Sequence, residues 1–214
     1  MPHPSRFSKG GNQNLRMQTR LVFAITSLLF LLACSPRDFL TRRLATDLLS
    51  VSPAFHMPQR FTLQIGTVSG KDYPSPDYLV LQHHGWISAN NAPCAPGLVP
   101  PPCWDILLTP SGVDTIRPLL PAEEAGHSSL TFPVAKRQLV EVTGISKDGN
   151  FADVEFRWKW APLNELGAAL YTGDLQYSST VGFRHYDDGW RVVQSAPHPS
   201  QTLDDALKNA EPVQ

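Results

Sequence analysis

The sequence predicts a domain of the α+β class, in which a helix-containing N-terminal half precedes an antiparallel meander of four strands. Apolar and charged residues alternate strictly from Ala152 to Trp160, which is the two-residue period of a strand with one buried face. Prolines make up 20 of the 214 residues, so long helices are disfavoured. Apolar residues make up 42% of the chain and charged residues 17%, which suits a packed core.

The first 33 residues predict an export signal. Arg16 and Arg20 precede an apolar stretch over residues 21–33. As a helix, this stretch would extend roughly 20 Å, against a bilayer core of about 30 Å. A basic start followed by a short apolar run is typical of a signal peptide. Because Met17 begins a compact signal of its own, we also expect that translation can start there.

The end of the apolar stretch has the sequence Leu31-Leu32-Ala33-Cys34. This motif resembles the lipobox of bacterial lipoprotein precursors. The resemblance implies that signal peptidase II cleaves before Cys34, whose sulfur then carries diacylglycerol and whose amine is acylated, for example with palmitate. Ser35, in place of Asp, implies the outer membrane or the cell surface if the host has two membranes. An unlipidated signal peptide is the alternative.

The charge of the chain disfavours nucleic acid as a partner. The net charge is −1, and removal of residues 1–33 would take four basic residues and no acidic one, which leaves about −5. A mildly acidic exported domain does not suit the phosphate backbone of DNA or RNA. The partner that the sequence predicts is the lipid bilayer, reached through Cys34.

The first half, about residues 35–120, contains two predicted helices. Thr41 suits the N-cap of a helix whose apolar face includes Leu44 and Leu48, and which ends at Ser52-Pro53. Ser75-Pro76 has the pattern of a second N-cap followed by proline in the first turn, with Gly85 as the left-handed cap at the far end.

Short strands are predicted around these helices. Residues 61–65 alternate apolar and polar side chains, and strands at 86–87 and 106–109 follow the second helix. The order of helix, glycine, strand, loop and strand over about 35 residues resembles the tail of a winged-helix unit. This resemblance implies a packing arrangement only, because the segment has no basic recognition helix.

The second half, about residues 130–195, predicts the meander. Residues 110–131 are expected to form a loop-rich connection before it, and residues 162–171 have room for one or two helical turns. The meander is predicted from strands at 134–145, 152–160, 175–183 and 190–193, with tight turns at Asp148-Gly149 and at 187–189. The polar residues 196–214 are expected to form a C-terminal tail.

The closing hairpin over residues 183–192 resembles the terminal strands of cystatin-like and NTF2-like domains. Those folds wrap a bent sheet around a helix, and some hold a small ligand in the concavity. Here Trp158, Trp160 and Trp190 could line such a concavity, since aromatic walls suit apolar ligands and sugars. The alternative is that these side chains form the core face of a sheet covered by a helix.

Cys94 and Cys103 are the two cysteines that remain after Cys34. In an exported protein they predict a disulfide that closes a proline-rich loop. The alternative is a zinc site that joins them to His83 and His84. Neighbouring histidines on a helix point about 100° apart, however, and oxidation removes the thiolates that zinc requires.

The acidic residues near histidines do not form a recognisable catalytic set. Asp187 and Asp188 with His185 suit turn chemistry, and Glu123, Glu124 and His127 suit a solvated loop. We find none of the familiar hydrolase, zinc-protease or phosphate-loop motifs.

The function expected from the sequence is therefore that of a lipid-anchored envelope protein that acts by binding or assembly, without a catalytic residue, cofactor or metal. An envelope protein is the expected partner. The alternative is a small-ligand binder whose concavity is lined by Trp158 and Trp160.

Overall fold

The computed structural model describes residues 39–70, 73, 75–94, 102–121, 128–171, 174–193 and 202–213. These residues have a mixed α+β architecture with antiparallel sheets, which confirms the α+β part of the prediction. Residues 40–214 form one compact unit. Because this unit has hydrophobic cores of its own, we expect it to fold without the residues that precede it.

The described residues contain helices and strands that we number in chain order. The helices are α1 Arg42–Ser50, α2 Pro53–His56, α3 Pro76–His83, α4 Pro110–Ile116, α5 Glu165–Leu170 and α6 Leu203–Lys208, with a 3-10 turn at Arg117–Leu119. The strands are β1 Pro58–Gln64, β2 Gly66–Ser69, β3 Ile87–Ala92, β4 Cys103–Leu108, β5 Ser129–Asp148, β6 Phe151–Pro162, β7 Gln176–Tyr186, β8 Gly189–Val192 and β9 Glu211–Val213.

The larger sheet has the strand order β1-β5-β6-β7-β8, and β9 pairs with the first residues of β7. It therefore has six strands and draws β1 from the N-terminal half of the chain. The register of β5 against β6 shifts near Val140 and again near Thr143. Bulges of this kind bend a long strand, and β5 curves accordingly.

The smaller sheet has three strands in the order β2-β4-β3. Gly66 follows the end of β1 with a φ of 82°, a left-handed conformation that favours glycine, and the chain passes there from one sheet to the other. β3 and β4 pair as the sequence predicts, with Ile87 opposite Leu108.

Two cores lie on either side of this junction. In the first, α1, α2 and α6 cover the inner face of β6, β7 and β8, where Phe156, Val181 and Phe183 are fully buried. In the second, α3 and α5 pack with the smaller sheet against β1 and the start of β5, around Phe132. The inner face of the bent sheet is thus filled by helices.

Local signals set most of the element ends. Thr41 and Ser75 cap α1 and α3 by accepting hydrogen bonds from backbone N–H groups three residues later. Gly85 has a φ of 72° and ends α3 as predicted. The predicted tight turns lie at Gly149 and Gly189, both with positive φ.

Two predictions are corrected. The stretch 110–131, expected to be loop-rich, begins with α4, because Thr109 accepts a hydrogen bond from Gly112 N–H and Pro110 occupies the first turn. The expected polar tail over 196–214 folds back in its described part, 202–213, as α6 and β9. Leu203, Ala206 and Leu207 occupy one helical face and are buried in the first core.

Candidate functional site

The residues of the predicted lipidation site lie outside the described residues. Cys34 and the apolar stretch that precedes it belong to residues 1–38. Among the residues that the structure does describe, no helix has the length and apolar character needed to span a bilayer. Lipidation therefore stays a prediction from the sequence.

The two remaining cysteines form the predicted disulfide. Cys94 and Cys103 are bonded, with Cα atoms 5.1 Å apart, and Cys103 is fully buried at the start of β4. The bond consumes both thiolates of the alternative zinc set. His84 instead stacks on Trp86, with ring centres 4.7 Å apart. Within the described parts of the chain, no three His, Cys, Asp or Glu side chains converge as a metal site.

Trp158 is a core residue and is only 2% exposed. Its Nε1–H donates a hydrogen bond of 3.1 Å to Ser179 Oγ, and Ser179 Oγ donates in turn to the carbonyl of Ala206 in α6. Its ring stacks on that of Tyr177, with centres 4.7 Å apart. Because its polar atom is satisfied and its ring is covered, Trp158 connects the sheet to α6.

Trp160 is half-buried at the end of the same row, beside Arg137. The Arg137 guanidinium carbon lies 4.9 Å from the Trp160 ring centre and 5.4 Å from that of Trp158. Burial lowers the pKa of Arg137, and the negative charge of Asp204 opposes that shift. Arg137 also donates a hydrogen bond to the carbonyl of Ala54 in α2.

The remaining sequence candidates are dispersed. Trp190 is 4% exposed in the first core, and His185 lies 5.1 Å from it, ring centre to ring centre. Asp188 forms an exposed ion pair with Arg191 across the turn between β7 and β8. Glu123, Glu124 and His127 lie outside the described residues.

A groove of about 430 Å³ lies between the α1–α2 junction and strand β8, at the edge of the larger sheet. Five of the eight lining residues are apolar, which suits a guest with an apolar part. The lining residues are Leu48, Val51, Ser52, Pro53, Tyr186, Arg191, Val192 and Val193.

The junction of α1 and α2 fixes one wall of this groove. Val51 caps the C-terminal end of α1, and its N–H donates to the carbonyl of Asp47. Ser52 Oγ donates a hydrogen bond of 2.6 Å to the carbonyl of Leu49, and Pro53 then starts α2. Since the chain turns here, Val51 points outward and is 68% exposed. Val51 therefore contributes exposed apolar surface to this wall of the groove.

The other wall ends in a row of stacked aromatic and guanidinium groups. The Tyr186 ring is close to two arginines, with the Arg191 guanidinium carbon 5.3 Å and that of Arg184 5.1 Å from the ring centre. Arg184 also lies 5.5 Å from the ring centre of Phe151. Arg191 and Tyr186 line the groove, and Arg184 lies next to Arg191 on the neighbouring strand; Tyr186 and Phe151 are both 42% exposed.

Comparison of the chain with protein-family models, with curated proteins and with solved structures finds no match. The groove is therefore interpreted from its own chemistry, as an apolar surface with hydroxyl and guanidinium donors on one wall. Sequence reasoning missed it. Val51 and Tyr186 lie 135 positions apart in the chain, and no local pattern links them.

Proposed function

We propose that this protein is a lipid-anchored protein of the cell envelope that acts by binding or assembly, and that the groove between the α1–α2 junction and β8 is its binding surface. The observation that carries the proposal is the cavity of about 430 Å³ beside an exposed valine. A volume in the range of roughly 300–1,000 Å³ with apolar walls and a few polar groups is typical of ligand sites.

The sequence that precedes the compact unit 40–214 supports a lipid anchor to the membrane. The lipobox-like motif ends at Cys34, and α1 begins at Arg42. The eight intervening peptide steps can extend at most about 29 Å. An acylated Cys34 would therefore hold the unit close to the bilayer, with its groove available to envelope components. No cofactor, metal or nucleic acid takes part in this proposal.

We also propose that the helices and the four-strand meander expected from the sequence build this groove together. Consecutive strands β5 to β8 act as a four-strand platform, preceded in the chain by α1 and α2, and the groove forms where the last of these strands meets the helices. The alternative function, a small ligand held against Trp158 and Trp160, is less well supported, because helices cover the inner face at Trp158.

To test the groove, Nile red is added to the compact unit 40–214. Nile red is an uncharged dye that fluoresces on entering apolar surroundings. We expect the folded unit to increase the fluorescence and Val51→Glu to abolish the increase, because a carboxylate would occupy the apolar wall. Leu79→Glu is the matched control, since Leu79 is 48% exposed on α3 and contributes nothing to the groove. Equal loss of fluorescence in both variants, or in neither, contradicts the proposal.

A further inference from the structure

The two walls of the groove differ in chemistry. On one wall Leu48, Val51 and Pro53 present aliphatic surface from α1 and α2. On the other, Arg191 and Tyr186 present a guanidinium and a ring with its hydroxyl. A guest that contacts both walls favourably has an apolar body and a polar or charged group.

Two guanidinium groups lie side by side on the β8 side of the groove, since Arg184 and Arg191 are opposite each other in the pairing of β7 with β8. Arg184, the direct cross-strand neighbour of Arg191, forms no ion pair with a carboxylate in the described part of the chain. Its guanidinium carbon lies 5.5 Å from the Phe151 ring centre and 5.1 Å from that of Tyr186. Planar guanidinium edges of this kind recognise carboxylate and phosphate oxygens.

Arg191 has a partner that a ligand can replace. Its ion pair with Asp188 joins two side chains that are each 62% exposed, three residues apart on one turn. Exposed pairs of this type stabilise a protein by only about 0–1 kcal/mol. An anion that also gains from burying an alkyl chain can therefore displace the Asp188 carboxylate. Asp187, on the same turn, is exposed and adds a negative charge nearby.

We infer that the groove binds a single-chain amphiphile with an anionic head group, its alkyl chain along the apolar wall and its head on Arg191 and Arg184. This inference rests on the proposed function, since it names the ligand class of the same groove. Each buried methylene contributes about 0.8 kcal/mol. The alkyl chain therefore supplies affinity, and the arginines supply selection for charge.

The test titrates the compact unit 40–214 with dodecyl phosphate and with dodecyl maltoside, both below their critical micelle concentrations, and follows displacement of Nile red. The two probes share one alkyl chain and differ in head-group charge. We expect dodecyl phosphate to bind about 10-fold more tightly at low salt. We expect inorganic phosphate alone to displace no dye, because it lacks the chain.

Charge variants locate the head group. Arg191→Gln and Arg184→Gln should each lower the affinity for dodecyl phosphate about 3- to 10-fold and leave the affinity for dodecyl maltoside unchanged. Asp188→Asn should raise the affinity for dodecyl phosphate about 2- to 5-fold, because it removes the ion pair that occupies Arg191. Arg157→Gln is the matched control, since Arg157 forms a comparable exposed pair with Glu141 outside the groove.

The outcomes separate the inference from the proposed function. If both probes bind equally and the arginine variants change neither affinity, the ligand is not selected for negative charge, and the groove remains a binding surface for apolar compounds. If an uncharged Val/Thr-rich peptide binds in preference to both, strand docking on β8 replaces the amphiphile. If no probe binds, or Val51→Glu changes nothing, the groove itself is not a binding surface.

Discussion

The guanidinium of Arg137 lies over the ring of Trp160, 4.9 Å from its centre, where the two hydrophobic cores meet. Trp160 in turn lies 5.2 Å from Tyr171, ring centre to ring centre, at the end of α5. Arg137 is thus in contact with the first core through Trp158 and, through Trp160, is linked to the second. Its Nε is buried without a hydrogen-bond partner among the described residues.

Replacement of Arg137 by methionine should lower the free energy of unfolding by about 1–2 kcal/mol. The variant keeps an unbranched stem but loses the contacts with two indole rings and the hydrogen bond to Ala54. These losses outweigh the relief of desolvation because the side chain is only half-buried. Urea unfolding measures the change, with Arg157→Met as an exposed control. A methionine variant as stable as wild type would show that Arg137 is not a stabilising link.

Tyr171 should make stability fall in alkaline solution. Burial raises the pKa of its hydroxyl, and the negative charge of Asp77 raises it further. A raised pKa means that the folded state favours the neutral hydroxyl over the phenolate. The contribution of Tyr171 to the free energy of unfolding is therefore complete below the ordinary pKa of about 10 and is lost as the pH rises through the folded-state pKa. Urea unfolding between about pH 8 and 11 should show a steeper decline for wild type than for Tyr171→Phe. Tyr186→Phe, at an exposed position, serves as control, and identical slopes for Tyr171→Phe and wild type would refute this prediction.

Gly167 should not tolerate a side chain. A Cβ atom at this position would lie 1.8 Å from the carbonyl oxygen of Val134, so α5 would have to move away from β5. We expect Gly167→Ala to cost about 3 kcal/mol or more. Ala168→Ser, one residue further at an exposed position of the same helix, should change stability by less than about 0.5 kcal/mol. Equal effects in chemical denaturation would show that α5 does not pack this closely.

Loss of the disulfide should destabilise the unit moderately. Closing a loop of about 10 residues stabilises by at most about 2.7 kcal/mol in the chain-entropy model. The prolines between Cys94 and Cys103 already restrict the unfolded loop, so we expect a loss of about 1–2 kcal/mol in Cys94→Ser/Cys103→Ser. Urea unfolding of this double variant checks the value, and reductant should affect wild type alone. An unchanged midpoint contradicts the prediction.

The elements that local chemistry specifies could be predicted from the sequence. Thr41 and Ser75 cap their helices, Gly85 ends α3, and the alternation around Phe156 marks β6. Each of these signals lies within a few residues of the structure that it determines. The Cys94–Cys103 bond was also predicted correctly, from the expectation that the chain is exported and that Cys34 is modified, which would leave one possible pairing.

The features that depend on distant contacts were not predictable. β1 joins the larger sheet through its pairing with β5, about 70 residues away along the chain. The six-residue helix α6 has only a short apolar face, too weak a pattern to predict a helix. It is held against the sheet by distant contacts, among them the hydrogen bond from Ser179 Oγ to the Ala206 carbonyl. The groove combines residues of α1, α2, β7 and β8, so its existence follows from the packing of helices on a bent sheet.

The central claim, that the protein is anchored in the envelope by lipid, is tested by expressing the full chain in a bacterial host fed with radiolabelled palmitate. The protein should take up label, sediment with membranes and have the intact mass of residues 34–214 plus acyl chains. Cys34→Ser should lose the label and the membrane association, while the neighbouring Ser35→Ala should keep both. An unlabelled wild-type chain, or a Cys34→Ser variant that sediments as completely as wild type, would contradict the account.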